Sequence, residues 1–185
     1  MKVEKIVVGN LYENCYLIIN DDKCLIVDPG DEFTKIKEKI KDKKVVGVLL
    51  THAHFDHIGA LEDVLNTYKC NLYYHNINNE ISYEKLINIE EKEYEIDNFI
   101  FDVLYMKGHR NDLSVFYFKK EKIMFTGDFI FKDSIGRCDL EYSNYNDMLI
   151  SLDRLKKINE DIILYPGHGE DTNLSLEKEN NIYLN

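Results

Sequence analysis

Residues 51–60 read THAHFDHIGA, and the fold that we expect for the chain follows from this segment. Three histidines and an aspartate fall within six positions, although the whole chain contains only six histidines. Crowding imidazoles and a carboxylate together has no packing advantage without a cation, and each of these groups is a ligand for a divalent metal ion. His52 and His54 can turn both rings toward one point, and Asp56 and His57 follow at the start of a predicted helix. Four ligands from one short loop can serve two ions only if distant segments complete the coordination.

Three further candidate ligands each follow a strand-like run of apolar residues. They are His109 in MKGHR, Asp128 in TGDFIF and His168 in PGHG. A rigid sheet commonly presents site residues on the short turns at its strand ends. Taken alone, each of the three would be interpreted as an ordinary loop or turn residue. They become candidate ligands because they occur in the same chain as the histidine-rich segment 51–60. His75, at the end of NLYYH, is interpreted as a structural or surface residue.

The hydrophobic pattern predicts a strand-rich half that occurs twice along the chain. In the first half, an antiparallel meander precedes a helix marked by Phe33, Ile36 and Ile40 and a buried strand at 45–50. ALEDVLNTY, NLYYH and NNEISYEKLI then predict a helix, a strand and a second helix. In the second half the predicted strands are YEIDNFIFDVLYM, LSVFYF, KIMFTG and IILYP. NLSLEKEN predicts a closing helix, and another helix carries a face formed by Tyr145, Met148, Leu149, Leu152 and Leu155. Two packed sheets with helices on the outside are the most economical arrangement.

Composition and charge narrow the class of protein. The 185 residues are 44% hydrophobic and 31% charged, and we expect one domain over residues 1–185. Four scattered cysteines, and a start that does not resemble a signal peptide, predict a soluble cytoplasmic protein. A net charge of −11 disfavours nucleic acid as a partner, and KIKEKIKDKK at 35–44 is interpreted as a solvated helix face. We expect a small-molecule substrate and no membrane partner, and the oligomeric state stays open.

The ordered motifs H-x-H-x-D-H, G-H, T-G-D and P-G-H-G resemble those of the metallo-β-lactamase-fold hydrolases, and the resemblance runs almost from end to end. GNLYENCYLI, LIVDPGDE and GDFIFKDSIGRCDL are similar to segments of the short glyoxalase II-like thioesterases, the hydroxyacylglutathione hydrolase-like enzymes. The resemblance implies an α+β fold, a four-layer αββα sandwich with the metals at one edge between its two sheets.

The resemblance also implies a ligand set for two divalent ions. One ion would lie on His52, His54 and His109, the other on Asp56, His57 and His168, and Asp128 would bridge them. Zinc is expected first, with iron or manganese open. Asp56 would also orient the nucleophile. Asp28 in VDPG either supports the metal loop through hydrogen bonds, as in the family, or is a turn aspartate.

The function that follows from the resemblance is a dinuclear metal-dependent hydrolase of a small thioester such as S-lactoylglutathione. Two ions would lower the pKa of a water between them, and the resulting metal-bound hydroxide would attack the thioester carbonyl. Three alternatives stay open: a persulfide dioxygenase with a single iron, a hydrolase of another ester or lactone, and a metal-stabilised binding module without catalysis.

The sequence departs from the family around the third metal histidine. The family has G-H-T-x-G-S, whereas this chain reads GHRNDLS at 108–114. Arg110 replaces the threonine, and an ungapped comparison places Asp112 and Leu113 at the glycine and the serine. Arg110 would either stabilise an anionic substrate beside the metals or point into water. Few residues follow PGHG, so we expect no helical C-terminal domain of the kind that helps full-length glyoxalase II enzymes bind glutathione.

Overall fold

The computed structural model describes residues 1–185 as two six-stranded sheets, a two-stranded ribbon and five helices. The strands are β1 Lys2–Val8, β2 Glu13–Asn20, β3 Lys23–Val27, β4 Lys44–Leu49, β5 Asn71–Tyr74, β6 Leu86–Asn88, β7 Glu93–Ile96, β8 Phe99–Tyr105, β9 Ser114–Phe118, β10 Ile123–Gly127, β11 Ile130–Phe131, β12 Ser134–Ile135, β13 Ile163–Pro166 and β14 Thr172–Asn173. The helices are α1 Phe33–Ile40, α2 Phe55–Ile58, α3 Leu61–Tyr68, α4 Tyr145–Lys156 and α5 Leu174–Asn180. None of the helices combines the length and apolar character that crossing a membrane requires.

The first sheet has the strand order β1-β2-β3-β4-β5-β6. Strands β1 to β3 form the predicted antiparallel meander. From β3 to β6, neighbouring strands are parallel, and parallel neighbours need a crossover connection. Helix α1 provides it between β3 and β4, and α2 with α3 provides it between β4 and β5. The loop that carries THAHFDH therefore leaves the carboxyl end of β4, in the middle of the sheet.

The second sheet has the order β14-β13-β10-β9-β8-β7. Its neighbouring strands β10 and β13 are parallel, so their carboxyl ends lie side by side. A hydrogen bond from the Ser114 N–H to the Thr51 carbonyl (2.9 Å) joins the start of β9 to the end of β4. This contact brings the start of β9 in the second sheet next to the end of β4 in the first sheet, where the histidine-rich loop begins.

Three separate apolar clusters show that the molecule has four layers. A first outer cluster lies between the first sheet and α1 and α3, a central cluster between the two sheets, and a second outer cluster between the second sheet and α4 and α5. Side chains alternate between them because successive strand residues point to opposite faces. In β2, Leu17 packs in the first outer cluster and Ile18 in the central one; in β9, Phe116 is central and Val115 is outer. The predicted αββα order is confirmed.

The helix predicted over NNEISYEKLI is wrong. This segment forms turns and then β6, which pairs in parallel with β5. The Asn76 side chain binds both the N–H and the carbonyl of Ile81 (3.3 and 2.7 Å), and the Lys85 carbonyl accepts from the Leu72 N–H (3.1 Å). Because these backbone groups are engaged by a side chain and by the neighbouring strand, they are unavailable for helical hydrogen bonds.

The predicted helices α1 and α4 are confirmed, but α4 buries fewer residues of its predicted face than expected. Helix α1 buries Ile36 and Ile40, partly buries Phe33 and exposes its lysines, as expected. The four cysteines are free. The α4 helix buries Met148, Leu152 and Leu155, but Tyr145 and Leu149 of its predicted face are exposed. The helical period was right, and the buried stripe is narrower than the pattern indicated.

His75 follows β5 and is a buried structural residue. Its ring stacks on Tyr105 with the centroids 4.0 Å apart and an interplanar angle of 9°. Its Nδ1 is buried without a hydrogen-bond partner. Burial, helped by the nearby charge of Lys107, lowers the pKa of His75 below its ordinary value. The ring is therefore neutral in the folded protein at neutral pH.

We expect the His75→Phe variant to be less sensitive to acid than the wild type. The pKa of His75 is lower in the folded state than in the unfolded state, so the unfolded state takes up its proton first. The wild type therefore loses stability as the pH falls below about 6.5, and phenylalanine keeps the stacked ring without the proton. Urea unfolding at about pH 7.5 and about pH 5 checks this. An equal loss of stability in both proteins would contradict it.

Candidate metal centre

The seven predicted ligands converge at the edge where the two sheets meet. His52 and His54 follow β4, and Asp56 and His57 lie in α2. The other three follow strands of the second sheet: His109 after β8, Asp128 after β10 and His168 after β13. Strand ends from both sheets therefore supply the centre, and the rigid sheets determine where the ligand atoms lie.

The first group consists of His52, His54, His109 and Asp128, whose ligand atoms all lie within 4.8 Å of one another. The His54 Nδ1 is 3.1 Å from the His52 Nε2 and 2.9 Å from the His109 Nε2. The Asp128 Oδ2 is 3.5 Å from the His109 Nε2. Three imidazole nitrogens and one carboxylate oxygen form a ligand set that suits a tetrahedral divalent ion.

The second group consists of Asp56, His57 and His168, again with ligand atoms within 4.8 Å. The His168 Nε2 lies 3.2 Å from the Asp56 Oδ2 and 3.7 Å from the Asp128 Oδ2. The Asp128 Oδ1 lies 3.4 Å from the His57 Nε2. Asp128 therefore lies between the two groups, where one carboxylate can reach both.

Two atoms of the centre are buried without any hydrogen-bond partner. They are the His57 Nε2 and the Asp128 Oδ1. Leaving buried polar atoms unpaired is costly, and in native proteins such atoms almost always have a partner. A divalent cation between the ring nitrogen and the carboxylate oxygen would satisfy both, so the residues present fit the metal that the ligand set implies.

The histidines of the first group are neutral, as metal ligation requires. Burial, reinforced by the neighbouring histidines, lowers the pKa of His52 well below its ordinary value. The same causes, with the charge of Arg110, lower the pKa of His54 to about 4. Burial also lowers the pKa of His109. These ring nitrogens are therefore free of competing protons at neutral pH.

The second group is electrostatically negative. Burial alone would lower the pKa of His57, but the nearby carboxylates of Asp128 and Asp28 outweigh burial and raise it. Burial alone would raise the pKa of Asp128, but the charge of His57 outweighs it and lowers the pKa to about 2. Positive charge is therefore stabilised between these residues, whether a proton or a metal ion provides it.

Asp28 fixes the histidine-rich loop through hydrogen bonds to Thr51 and His57. Its Oδ1 accepts from the Thr51 N–H (2.7 Å), and its Oδ2 accepts from the Thr51 hydroxyl (2.6 Å) and from the His57 Nδ1 (3.0 Å). Since Nδ1 donates to Asp28, the Nε2 of His57 is directed at Asp128. Asp28 itself has a left-handed backbone with φ 48°, a conformation that aspartate tolerates. These contacts are those of the supporting role that the sequence suggested.

Backbone carbonyls orient two further rings. The His168 Nδ1 donates to the Leu11 carbonyl (3.1 Å), and the His109 Nδ1 donates to the Arg137 carbonyl (2.9 Å). The Asn14 side chain donates to the carbonyls of Pro166 and Gly169 (2.9 and 3.0 Å) and so fixes the turn that carries His168. The sequence interpretation missed Asn14, because its partners lie about 150 residues away in the chain.

Of the two alternatives for Arg110, the one in which it points into water is wrong. Its side chain is buried, the Nε donates to the Asp112 Oδ1 (2.8 Å), and the Nη2 pairs with Glu80. The guanidinium also lies 5.3 Å from the centre of the Tyr142 ring. Arg110 is drawn inward because the neighbouring Asp112 carboxylate is buried and needs an opposite charge.

Asp112 is a functional candidate that the sequence interpretation did not single out. It is fully buried, and its Oδ2 accepts from the Ala53 N–H (3.1 Å) and from the Tyr74 hydroxyl (2.5 Å). The sequence does show an aspartate at this position, where the family has glycine. Its meaning depends on Ala53, 59 residues earlier, which only the fold brings into contact.

Comparison with known proteins assigns the chain to a family. The model of the metallo-beta-lactamase superfamily matches residues 8–168, a range that includes all seven clustered residues. The chain is 34% identical to the probable metallo-hydrolase YqgX of Bacillus subtilis, over 100% of this chain and 98% of that protein. It is 31% identical to the hydroxyacylglutathione hydrolase GloC of Haemophilus influenzae, over 100% of this chain and 99% of that protein.

Crystal structures of related proteins agree with this assignment. The BLEG-1 B3 metallo-beta-lactamase superimposes with a TM-score of 0.90 at 28% identity, covering 99% of both chains. TTHA1623 in a di-iron-bound form superimposes with a TM-score of 0.87 at 29% identity, covering 98% of this chain and 100% of that chain. The chain therefore belongs to the metallo-β-lactamase superfamily and is a metallo-hydrolase of that superfamily.

Proposed function

We propose that the protein is a dinuclear hydrolase that cleaves a small thioester, with a hydroxyacylglutathione such as S-lactoylglutathione as the first candidate substrate. The observation that carries the proposal is the position of Asp128, within 3.4 to 3.7 Å of His57, His109 and His168. One carboxylate between two sets of imidazoles is an arrangement that suits a pair of divalent ions. The similarity to the hydrolase GloC supports the choice of substrate class.

Two ions are proposed rather than one because both groups of ligands are formed. His52, His54 and His109 would hold one ion, Asp56, His57 and His168 the other, and Asp128 would touch both. The di-iron-bound form of the similar protein TTHA1623 supports a two-metal centre in this fold. Imidazole and carboxylate ligands suit zinc, iron and manganese, with zinc the first expectation.

When bound, the ions would supply Lewis acidity, lowering the pKa of a water between them and polarising the substrate carbonyl. Asp56 would orient that water. Burial alone would raise the pKa of Asp56, but its hydrogen bond with His168 outweighs burial and lowers it. The carboxylate is therefore ionised at neutral pH and can accept a hydrogen bond from the attacking water.

The carboxylates of the centre are poor proton donors, which supports a thioester, whose leaving group needs no proton. Asp56 and Asp128 both have a lowered pKa and carry no proton to give. Burial raises the pKa of Glu13, but its carboxyl lies 3.8 Å from the His57 Nδ1, on the side of the ring away from Asp128. A thiolate leaves without protonation because thiols have a pKa of about 8.5.

Metal analysis of variants tests the two-ion centre. We expect about two divalent ions per chain in the wild type, and about one in His54→Ala and in His168→Ala, because each loses a ligand of one group. Asp128→Ala should weaken both sites, since its carboxylate faces both. His75→Phe is the matched control, because it removes a histidine outside either group and should bind metal like the wild type.

Other metal contents of the purified protein would change the proposal in defined ways. A single iron in the wild type, with oxygen uptake on glutathione persulfide, would contradict the proposal and support a persulfide dioxygenase. If the wild type binds about one ion of any kind, and the His168→Ala variant binds the same amount, the proposed second site does not exist.

Thioester hydrolysis by the metal-loaded protein tests the reaction. We expect cleavage of S-lactoylglutathione or another acyl-thiol, with kcat reduced by at least about 100-fold in Asp56→Asn because the neutral amide orients the water poorly. Thiol release and metal content should be measured on the same sample, so that loss of metal is separated from loss of orientation. Oxygen esters and lactones with the same acyl group are the comparison substrates.

Preference for an oxygen ester or a lactone would overturn the thioester assignment. Binding of two ions without hydrolysis of any substrate in the panel would instead support a binding module without catalysis.

A further inference from the structure

Asp112 is a buried carboxylate that belongs to neither group of candidate ligands. Its Oδ2 accepts from the N–H of Ala53, the residue between His52 and His54, and from the Tyr74 hydroxyl. Fixing that peptide restricts the backbone from which both imidazoles extend. The direction of the two rings toward one point therefore depends on this carboxylate.

Asp28 fixes the start of the loop in the same way, by accepting a hydrogen bond from the Thr51 N–H. Asp28 and Asp112 thus bind alternate peptides of one short segment, and they come from different sheets. Asp28 follows β3, and Asp112 precedes β9. The two carboxylates together leave the segment 51–54 little freedom to rotate.

Arg110 supplies the charge that a buried Asp112 needs. Its Nε donates to the Asp112 Oδ1 (2.8 Å), and its Nη2 pairs with Glu80 from the segment after β5. The Tyr142 ring covers the guanidinium from a third segment, with the carbon of the guanidinium 5.3 Å from the ring centre. These contacts hold Arg110 in place, and the Asn78 and Asn111 side chains, which bind each other (2.9 and 3.0 Å), join the same segments again.

We propose that Asp112 is a positioning residue for the metal ion of the first group, and that Arg110 is its buried counter-charge rather than a ligand for substrate. The pair takes the place of the threonine and glycine that the family pattern has around this histidine. The inference rests on the metal centre of the proposed function and is independent of which substrate is hydrolysed.

Binding of Co²⁺ alone to the full chain tests the role of Asp112, with each group read separately. In a His168→Ala background, which leaves the first group, Asp112→Ala should weaken Co²⁺ binding by about 10- to 100-fold and change its visible absorption spectrum. In a His54→Ala background, which leaves the second group, Asp112→Ala should change neither. Affinity is measured by competition with a chelator.

Glu177→Ala is the matched control. Glu177 is equally buried and accepts three hydrogen bonds, from the Asp133 N–H (2.9 Å), the Thr172 hydroxyl (2.6 Å) and the Asn181 side chain (2.8 Å). It contacts none of the candidate ligands. Its loss should lower stability without altering Co²⁺ affinity or the spectrum.

Asp112→Asn keeps the test valid if the alanine variant does not fold. The amide has one acceptor oxygen and can serve either the Ala53 N–H or the Arg110 Nε, so we expect an intermediate loss of affinity at the first group. Wild-type affinity and spectrum in a folded Asp112 variant would overturn the proposal. An equal loss at both groups would also overturn it, because that result indicates a general structural effect.

A double-mutant cycle tests the part played by Arg110. Arg110→Met should weaken Co²⁺ binding at the first group, and combining it with Asp112→Ala should cost little more than the larger single change, since the two side chains act as a unit. Independent, additive effects would contradict the counter-charge role. If the wild type binds Co²⁺ at both groups but cleaves no thioester, the proposed function fails while this inference stands.

Discussion

The rest of the centre depends on the buried carboxylate of Asp128. It faces His57, His109 and His168, which come from α2 and from the ends of β8 and β13. One of its oxygens has no hydrogen-bond partner, and neither has the nearest nitrogen of His57. Because these atoms are buried, a cation between them would offset the cost of removing them from water. The geometry of three separate segments is thus explained by a single electrostatic requirement.

That requirement can be met only on a rigid frame. The central cluster, rich in phenylalanine and β-branched residues, fastens the two sheets face to face, and each sheet is covered by helices on its outer side. Such interiors are close-packed and deform little, so the strand ends are held in place. The hydrogen bond between Ser114 and Thr51 then sets the distance between the sheets beside the centre. Packing and metal geometry are in this way coupled through the backbone.

Around the ligands lies a layer of residues that hold them. Asp28 and Asp112 bind the loop from two sheets, and backbone carbonyls of Leu11 and Arg137 orient His168 and His109. Each ring nitrogen fixed in this way leaves the other nitrogen directed at the centre. The departure from the family pattern at GHRNDLS belongs to this layer and leaves the ligands themselves unchanged.

Residue types and their periodicity along the chain were enough to predict the candidate ligands and two packed sheets with outer helices. Density of histidine and aspartate in residues 51–60 and the polar residues after three strands are local signals, and so are the period-2 and helical patterns. Folding adds the features that depend on long-range contacts. It turned NNEISYEKLI into turns followed by the short edge strand β6, because Asn76 and β5 engage its backbone groups. It also buried Arg110 against Asp112 and Glu80, since the charge of a side chain is visible in sequence but its partner 30 residues away is not.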